Sequence, residues 1–442
     1  MFFAGLGLIV PGMAAGEVDF LAYGDLRGYL EPCGCDPATD MGGILRINSQ
    51  LRRERMTRPE VPVVNLGNNL SEKSRDQLKN EYLLKAEAVN RPDAYLLNVL
   101  ELRTGKALSG VKLPFVLSNA GKLKGIAFTT TRELPALTVY GYTYSTDLKD
   151  KVRRLTPEML GTWKREISRQ RDKQSLLLFS GPDDDLAKIL AADIFTAVVS
   201  GNTRSFSAEP GKEESENENL LQRVAGRRGV FMVPVGGQGI LRSGTLTRAE
   251  ARPVSAYLQP EPAKSQTESG LFLSKPVRVT WLRKETEGGH ALSDLYREYT
   301  GAVTAAFNRN SKERLAALAS SPFAGEAACV SCHPDQHAAY KKMAHAQAMK
   351  TLIDRNKHQD SECVSCHVVG AEVTGGFVSV QDSPQLANVQ CENCHGPRKE
   401  HTKNPAVKPN VALKGSALCV TCHNAQHSPR FNFAQYWEKI KH

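Results

Sequence analysis

The first 289 residues of this 442-residue chain contain no histidine. Whatever chemistry that stretch carries must do without imidazole, which excludes a histidine-based metal centre or a histidine general base there. Cysteine is almost missing from it as well: only Cys33 and Cys35 precede Cys329, so no disulfide scaffold organises the chain, and a hydrophobic content of 41% lets an ordinary core form instead. Long apolar runs are lacking after the first sixteen residues, MFFAGLGLIVPGMAAG, and no later stretch is long and apolar enough to span a bilayer. That opening run has no charge and ends in small residues before Glu17, which reads as a secretory signal over 1–16. It lacks the usual basic start, so a misplaced first residue or a retained anchor is the alternative. No cysteine stands near the cleavage point, which argues against a lipid anchor, and no strand precedes the GLG, so it is no dinucleotide loop. A basic cluster is lacking too. The net charge is +10, but stretches such as RRERMTRPE and GKEESENEN mix both signs, which describes a solvated surface and no nucleic-acid partner.

What is present is unevenly placed. All eleven histidines lie at or after His290, and eight of the ten cysteines lie between Cys329 and Cys422. Two chemistries therefore occupy two regions. In the first, VDFLAYGDL, VPVVNLGN, FVLSNAG, LTVYGYTYS, SLLLFSG, FTAVVSGN and GVFMVPVG read as buried strands. Between them, Gly43 to Met56, Ser74 to Asn90, Pro157 to Arg171 and Asp183 to Ala192 have helical spacing. This order predicts a layered α/β domain over 17–251. Residues 252–275 are rich in Pro, Ser, Glu and Gln and read as a connector, followed by a strand in VRVTWLRKE and a helix over Ala291 to Ala319. The segment 252–322 thus leads into a mainly helical domain over 323–442.

That last domain holds one motif four times: CVSCH at Cys329, CVSCH at Cys363, CENCH at Cys391 and CVTCH at Cys419. The CxxCH spacing lets two thiols add to the two vinyl groups of one haem while the adjacent histidine reaches the iron. Paired CxxC sequences also build zinc ribbons, but zinc needs no histidine after every pair. At this chain's histidine frequency, four out of four by chance is on the order of one in a million, which favours haem. The reading is four haem c: Cys329 with Cys332, Cys363 with Cys366, Cys391 with Cys394, and Cys419 with Cys422. His333, His367, His395 and His423 are the proximal ligands. About thirty residues per haem is too few for a separate core around each, so the porphyrins are most of the core and the segment is not expected to fold without them. Thirteen Lys and Arg stand against ten Asp and Glu in 323–442, so two propionates per haem would make the loaded domain acidic. Six further histidines, His337, His345, His358, His401, His427 and His442, make bis-histidine ligation the default. Met343 and Met349 sit in a helical run, KKMAHAQAMKTL, where packing is the better account.

CHPDQHAAYKKMAHAQAMKTL, CVSCHVVG, NVQCENCHGPRKEH and FNFAQYWEKIKH resemble the tetrahaem cytochrome c-554 family over roughly residues 323 to 442. The resemblance implies that His345 and His401 cap other haems and that the His367 iron is five-coordinate. Here the chain departs from the family pattern in one place. GSAL precedes Cys419 where a distal histidine is expected, so His442, with His427 as runner-up, is left to supply that ligand.

The first region resembles the calcineurin-like metallophosphoesterase domain of the 5'-nucleotidase and UDP-sugar hydrolase group, over roughly 18 to 285. YGDLRGYLEPCGC with GGILR looks like the DxHG opening, and NLGNNL, DAYLLNVLELRTG, LLFSGP and SGNTRS stand at the later metal-ligand motifs. Asp25 is kept. Arg27, Asn68, Val99, Leu100, Gly181, Asn202 and Arg204 occupy the other ligand positions, and valine, leucine and a fixed guanidinium cannot bind a divalent metal. The expectation is a scaffold that has lost hydrolysis, with anion binding by the arginines a minor alternative. Cys33 and Cys35 read as a structural pair, a strained disulfide, half a metal site or an exchanging thiol pair, with oxidation preferred in a periplasm.

The leading expectation is periplasmic or extracellular electron transfer to redox partner proteins, with the first domain a docking or assembly module. The alternative is a haem enzyme acting on a small nitrogen compound, nitric oxide, nitrite or hydroxylamine, at an open iron. Nucleotide or sugar-phosphate hydrolysis is disfavoured by the missing ligands. No membrane span is expected once the signal is cleaved, and the sequence leaves oligomer or filament formation open.

Overall fold

The computed structural model describes residues 17–32, 40–72, 76–105, 107–108, 110–170, 173–201, 230–233, 239–242, 246–247, 272–273, 278–309, 311–371, 373–407, 415–424, 427–428 and 430–442. The expected leader at 1–16, Cys33, Cys35, Asn202, Arg204 and all of the 252–275 connector but Phe272 and Leu273 lie outside the described residues. The chain divides into two compact units, Met1–Leu295 and Tyr296–His442.

The first unit is a layered α/β fold. Its six-stranded sheet runs in the order Arg278–Trp281, Gly239–Arg242, Leu21–Tyr23, Val63–Asn65, Ala94–Leu96, Phe115–Val116. The last four are parallel to one another, and every residue of them is buried, as expected of short apolar strands covered on both faces. The helices Ile44–Thr57 and Gln77–Asn90 follow the first two of these strands and bury Ile44, Leu45, Ile47, Leu51, Leu83 and Leu84. A second sheet of five strands runs Val230–Val233, Ala197–Gly201, Gln174–Ser180, Leu137–Thr143, Thr131–Glu133, parallel except for the final hairpin. One core cluster joins it to helices Pro157–Arg169 and Asp183–Ala191, with Tyr140, Tyr142, Leu177, Phe179 and Val198 packed on Trp163, Leu186 and Ile189. Each such burial contributes ~2 kcal/mol. Pro157 at the first helical position and Thr156, whose hydroxyl accepts the Met159 N–H at 3.2 Å, start the first of these helices. A third sheet pairs Glu17–Val18, Leu246–Thr247 and Phe272–Leu273.

The second unit is built of short helices and turns, and among its described residues the only sheet-like pairing is the bridge Val368 to Ala387. One apolar cluster, Phe323, Met349, Leu352, Val364, Val368, Val369, Phe377, Leu386 and Ala387, is its core. Met349 packs there, as the helical run suggested. Helix Ser361–His367 starts on Asp360, whose carboxylate accepts the Glu362 N–H at 3.0 Å, and helix Phe433–Ile440 starts on Asn432 in the same way.

Candidate functional site

Each CxxCH segment is a single turn. The N–H of His333 bonds the carbonyl of Cys329 at 2.9 Å, and that of His423 bonds the carbonyl of Cys419 at 2.8 Å. At about 100° per residue such a turn points both cysteines and the histidine to one side. None of these eight cysteines is in a disulfide, so each sulfur is available for a thioether. Two pairs from different motifs meet. Cys329 and Cys391 share a hydrogen bond, and burial first and Cys391 second push the Cys329 thiol up to about 11. Cys366 bonds Cys422, which holds the Cys366 thiol down to about 6 and pushes the Cys422 thiol up.

The four turns are seated differently. Val364, inside the second motif, is 1% exposed in the apolar cluster, whereas its counterparts Val330 and Val420 are 38% and 47% exposed. The third turn is held by polar groups. Glu392 is buried and accepts N–H bonds from Ala324, Gly325 and Arg398 at 2.7 to 3.1 Å. Gln390 accepts the Glu326 N–H at 2.8 Å, and Asn393 donates to the carbonyl of Val368 at 2.8 Å. The third turn is thereby tied to the segments beside the first and second. These three residues escaped the sequence reading; a signal was there for two of them, since Glu392–Asn393 replaces the Val–Ser or Val–Thr of the other motifs.

The histidines outside the motifs separate by geometry. The His345 ring stands 6.0 Å from that of His423, and the His442 ring 6.1 Å from that of His395. Two imidazoles sharing one iron have centroids roughly 6 Å apart, from two metal–nitrogen bonds of ~2.0 Å and ~1.2 Å within each ring. Burial lowers the proton affinity of His345, His395 and His423, and His423 lowers that of His345 further, which favours the neutral ligand form. Nδ1–H of His367, His401 and His442 donates to the carbonyls of Ala348, Val407 and Ile440 at 2.6, 2.9 and 2.9 Å, and Nδ1 of His423 pairs with the Ser428 hydroxyl at 2.9 Å. Each bond to a carbonyl occupies Nδ1 and orients the ring, so that Nε2 is the nitrogen left to face a metal. His337 is different: its Nε2 is committed to Glu326 at 3.0 Å. His427 lies beside Cys366, and Nδ1 of His358 is buried with no hydrogen-bond partner among the described residues. The donor set of CxxCH thiol pairs and imidazoles facing motif imidazoles thus fits haem.

In the first unit, loops after three parallel strands converge. Asp25, Arg27 and Asn68 all adopt left-handed backbone, with φ of 54°, 51° and 57°, a strain that persists only where neighbours fix it. Here they do: N–H groups of Asp25, Arg27 and Gly28 bond the carbonyls of Gly67, Asn68 and Asn69 at 2.7 to 2.9 Å, and Glu101 accepts the N–H groups of Asn68 and Asn69, both at 2.8 Å. Asp25 pairs with Arg27 at 3.0 Å, and burial, partly offset by Arg27, pushes its carboxyl up to about 6. Val99 and Leu100 open the helix Val99–Arg103, and Gly181 follows the strand Gln174–Ser180. Behind the loops, Asn69 donates to Glu87 at 3.0 Å and to Tyr95 at 2.9 Å, Tyr95 donates to Glu101, and Tyr23 donates to Glu87. Among the described residues no group of three His, Cys, Asp or Glu is arranged to hold a metal.

A helical unit that carries CxxCH turns with histidines facing them is that of a c-type cytochrome, with covalently bound haem c. The family model "Cytochrome c554 and c-prime" matches residues 328–396. Cytochrome c-554 of Nitrosomonas europaea is 35% identical over 164 residues, covering 29% of this chain and 69% of that protein. The chain belongs to the cytochrome c-554 family. Among solved structures, it is similar to the NAD nucleotidase of Haemophilus influenzae, with a TM-score of 0.44 and 11% identity over 65% of this chain and 60% of that one. The calcineurin-like phosphoesterase YfkN of Bacillus subtilis gives 0.43 and 13% over 64% and 98%, and a 5'-nucleotidase precursor of Thermus thermophilus gives 0.44 and 14% over 65% and 59%.

Proposed function

We propose that the chain is an extracytoplasmic electron-transfer protein with four haem c, exchanging electrons with redox partner proteins. Bound haem supplies a one-electron iron couple. The eight motif cysteines hold it by thioethers, and His333, His367, His395 and His423 are the proximal ligands. His345 then caps the His423 iron and His442 the His395 iron, which leaves His401 for the His333 iron and none for His367. The observation that carries this reading is the facing of histidines from outside the motifs onto histidines inside them, at 6.0 and 6.1 Å. The meeting of Cys329 with Cys391 and of Cys366 with Cys422 supports two closely placed haem pairs, the short spacing that electron transfer needs. Location outside the cytoplasm is supported by the leader-like opening, and among the described residues no helix is long and apolar enough to cross a membrane.

The first unit is a docking or assembly module without hydrolytic activity. Asp25 is engaged by Arg27, and the side chains of Val99 and Leu100 carry no ligand atom. Intact mass and a pyridine haemochrome assay on protein matured in a haem-attaching host test the main reading. Four haems per chain are expected; fewer, or stoichiometric zinc, sink it.

A second reading, turnover of nitric oxide, nitrite or hydroxylamine at the His367 iron, is favoured by the apolar seat of that turn, where Val364, Val368 and Val369 are at most 1% exposed. Carbon monoxide or nitric oxide binding to one reduced haem in about four is its first requirement. A protein inert to both gases is a conduit only.

A further inference from the structure

We propose that Glu392 is an electrostatic positioning residue: its buried charge lowers the reduction potential of the haem on the third attachment turn, Cys391–His395, while tying that turn to the segment that leads into the first. The proposal rests on the haem assignment above.

Three of the four motifs carry valine after the first cysteine, and only the third carries an acid. An acid at such a place is costly to bury unless it is hydrogen-bonded. Glu392 is 3% exposed, and its partners are all backbone N–H groups. Ala324 donates to Oε1 at 2.9 Å and to Oε2 at 3.1 Å, Gly325 donates to Oε2 at 2.8 Å, and Arg398 donates its backbone N–H to Oε1 at 2.7 Å. Both oxygens thus meet donors only, and a carboxylic O–H would find no acceptor among them. Nor is the charge neutralised, because no lysine, arginine or histidine side chain forms an ion pair with Glu392 among the described residues. Amide dipoles hold the charge in place without cancelling it. A fixed negative charge beside a haem favours the ferric over the ferrous iron, and the effect is large where water is excluded. The same bonds clamp Ala324 and Gly325, just ahead of the first motif, so one carboxylate both places two turns and biases the electron toward one side.

The test is a spectroelectrochemical titration of the full-length, haem-loaded protein, after its haem count has been measured. Glu392→Gln and Glu392→Val, the latter restoring the residue of the other motifs, should each raise the potential of one haem. The expected change is about tenfold in that haem's oxidised-to-reduced ratio, which is 59 mV for one electron. Glu392→Asp, which keeps the charge, should stay near the parent. Gln390→Ala loosens the same turn without changing charge, since Gln390 bonds Glu326, Gln385 and Ala387, and should leave the potential where it was. Unshifted potentials in both neutral variants overturn the proposal, as does an equal shift in Gln390→Ala. Loss of haem from both neutral variants also overturns it, for the carboxylate would then be a folding element alone. A parent with fewer than four haems would refute the haem assignment itself, a separate failure.

Discussion

Replacing His442 with alanine should turn one more iron high-spin. Its Nδ1–H is held by the carbonyl of Ile440 at 2.9 Å, so Nε2 is the free nitrogen, and its ring stands 6.1 Å from that of His395. An iron between them would have a strong ligand on each side and be low-spin; with alanine at 442, that side loses its nitrogen. If the His367 iron is open in the parent, the high-spin share should rise from about one iron in four to about two in four. Spin quantitation by electron paramagnetic resonance of the oxidised protein, with the haem count measured on the same sample, reads this directly. His345→Ala should act equally on the His423 iron. His427→Ala, beside Cys366, and His337→Ala, whose Nε2 is taken by Glu326, should leave the spin state alone. An unchanged spectrum for His442→Ala, or a new high-spin signal in His427→Ala, would refute the ligand assignment.

The first unit offers a pH prediction. Burial pushes Glu87 from its ordinary 4.5 up to about 7, so the folded chain holds this proton more tightly than the unfolded chain. Its contribution is complete below the unfolded value and is lost as pH rises through 7, by about 3 kcal/mol at 1.36 kcal/mol per unit. Urea unfolding should therefore show the stability of Glu87→Gln gaining on the parent by that order between about pH 5 and 8; a constant gap contradicts it. A Cβ at Gly376 would lie 1.8 Å from the carbonyl oxygen of Gly370, so Gly376→Ala should cost ~3 kcal/mol or more, whereas Gly301→Ala, with open space in helix Ser293–Arg309, should be neutral or stabilising by up to ~1 kcal/mol. With manganese, zinc or calcium, the protein should show no turnover of nucleotides or UDP-sugars, and turnover abolished by Asp25→Asn would prove a working site.

Some of this was fixed by the chain alone, because it is local chemistry. Two thiols and an imidazole at CxxCH spacing share one side of a turn whatever surrounds them, so spacing alone nominates the proposed attachment residues. Short apolar runs between turn residues likewise marked strands such as Gln174–Ser180, and helical spacing marked Pro157–Arg169 within two residues. Tertiary structure decided what depends on closure through space. Valine in the same motif is buried at 364 and exposed at 330 and 420, since Val364 packs into the cluster that holds Phe377 and Leu386. No local pattern marks Glu392 as buried; its burial comes from N–H groups of Ala324 and Gly325, 68 and 67 residues away. Spacing alone ranked none of the six spare histidines; only the family resemblance singled out His345, His401 and His442. Folding set two of the six opposite motif histidines and tied a third to Glu326, because a ligand is selected by where its nitrogen points, and no local pattern encodes that direction.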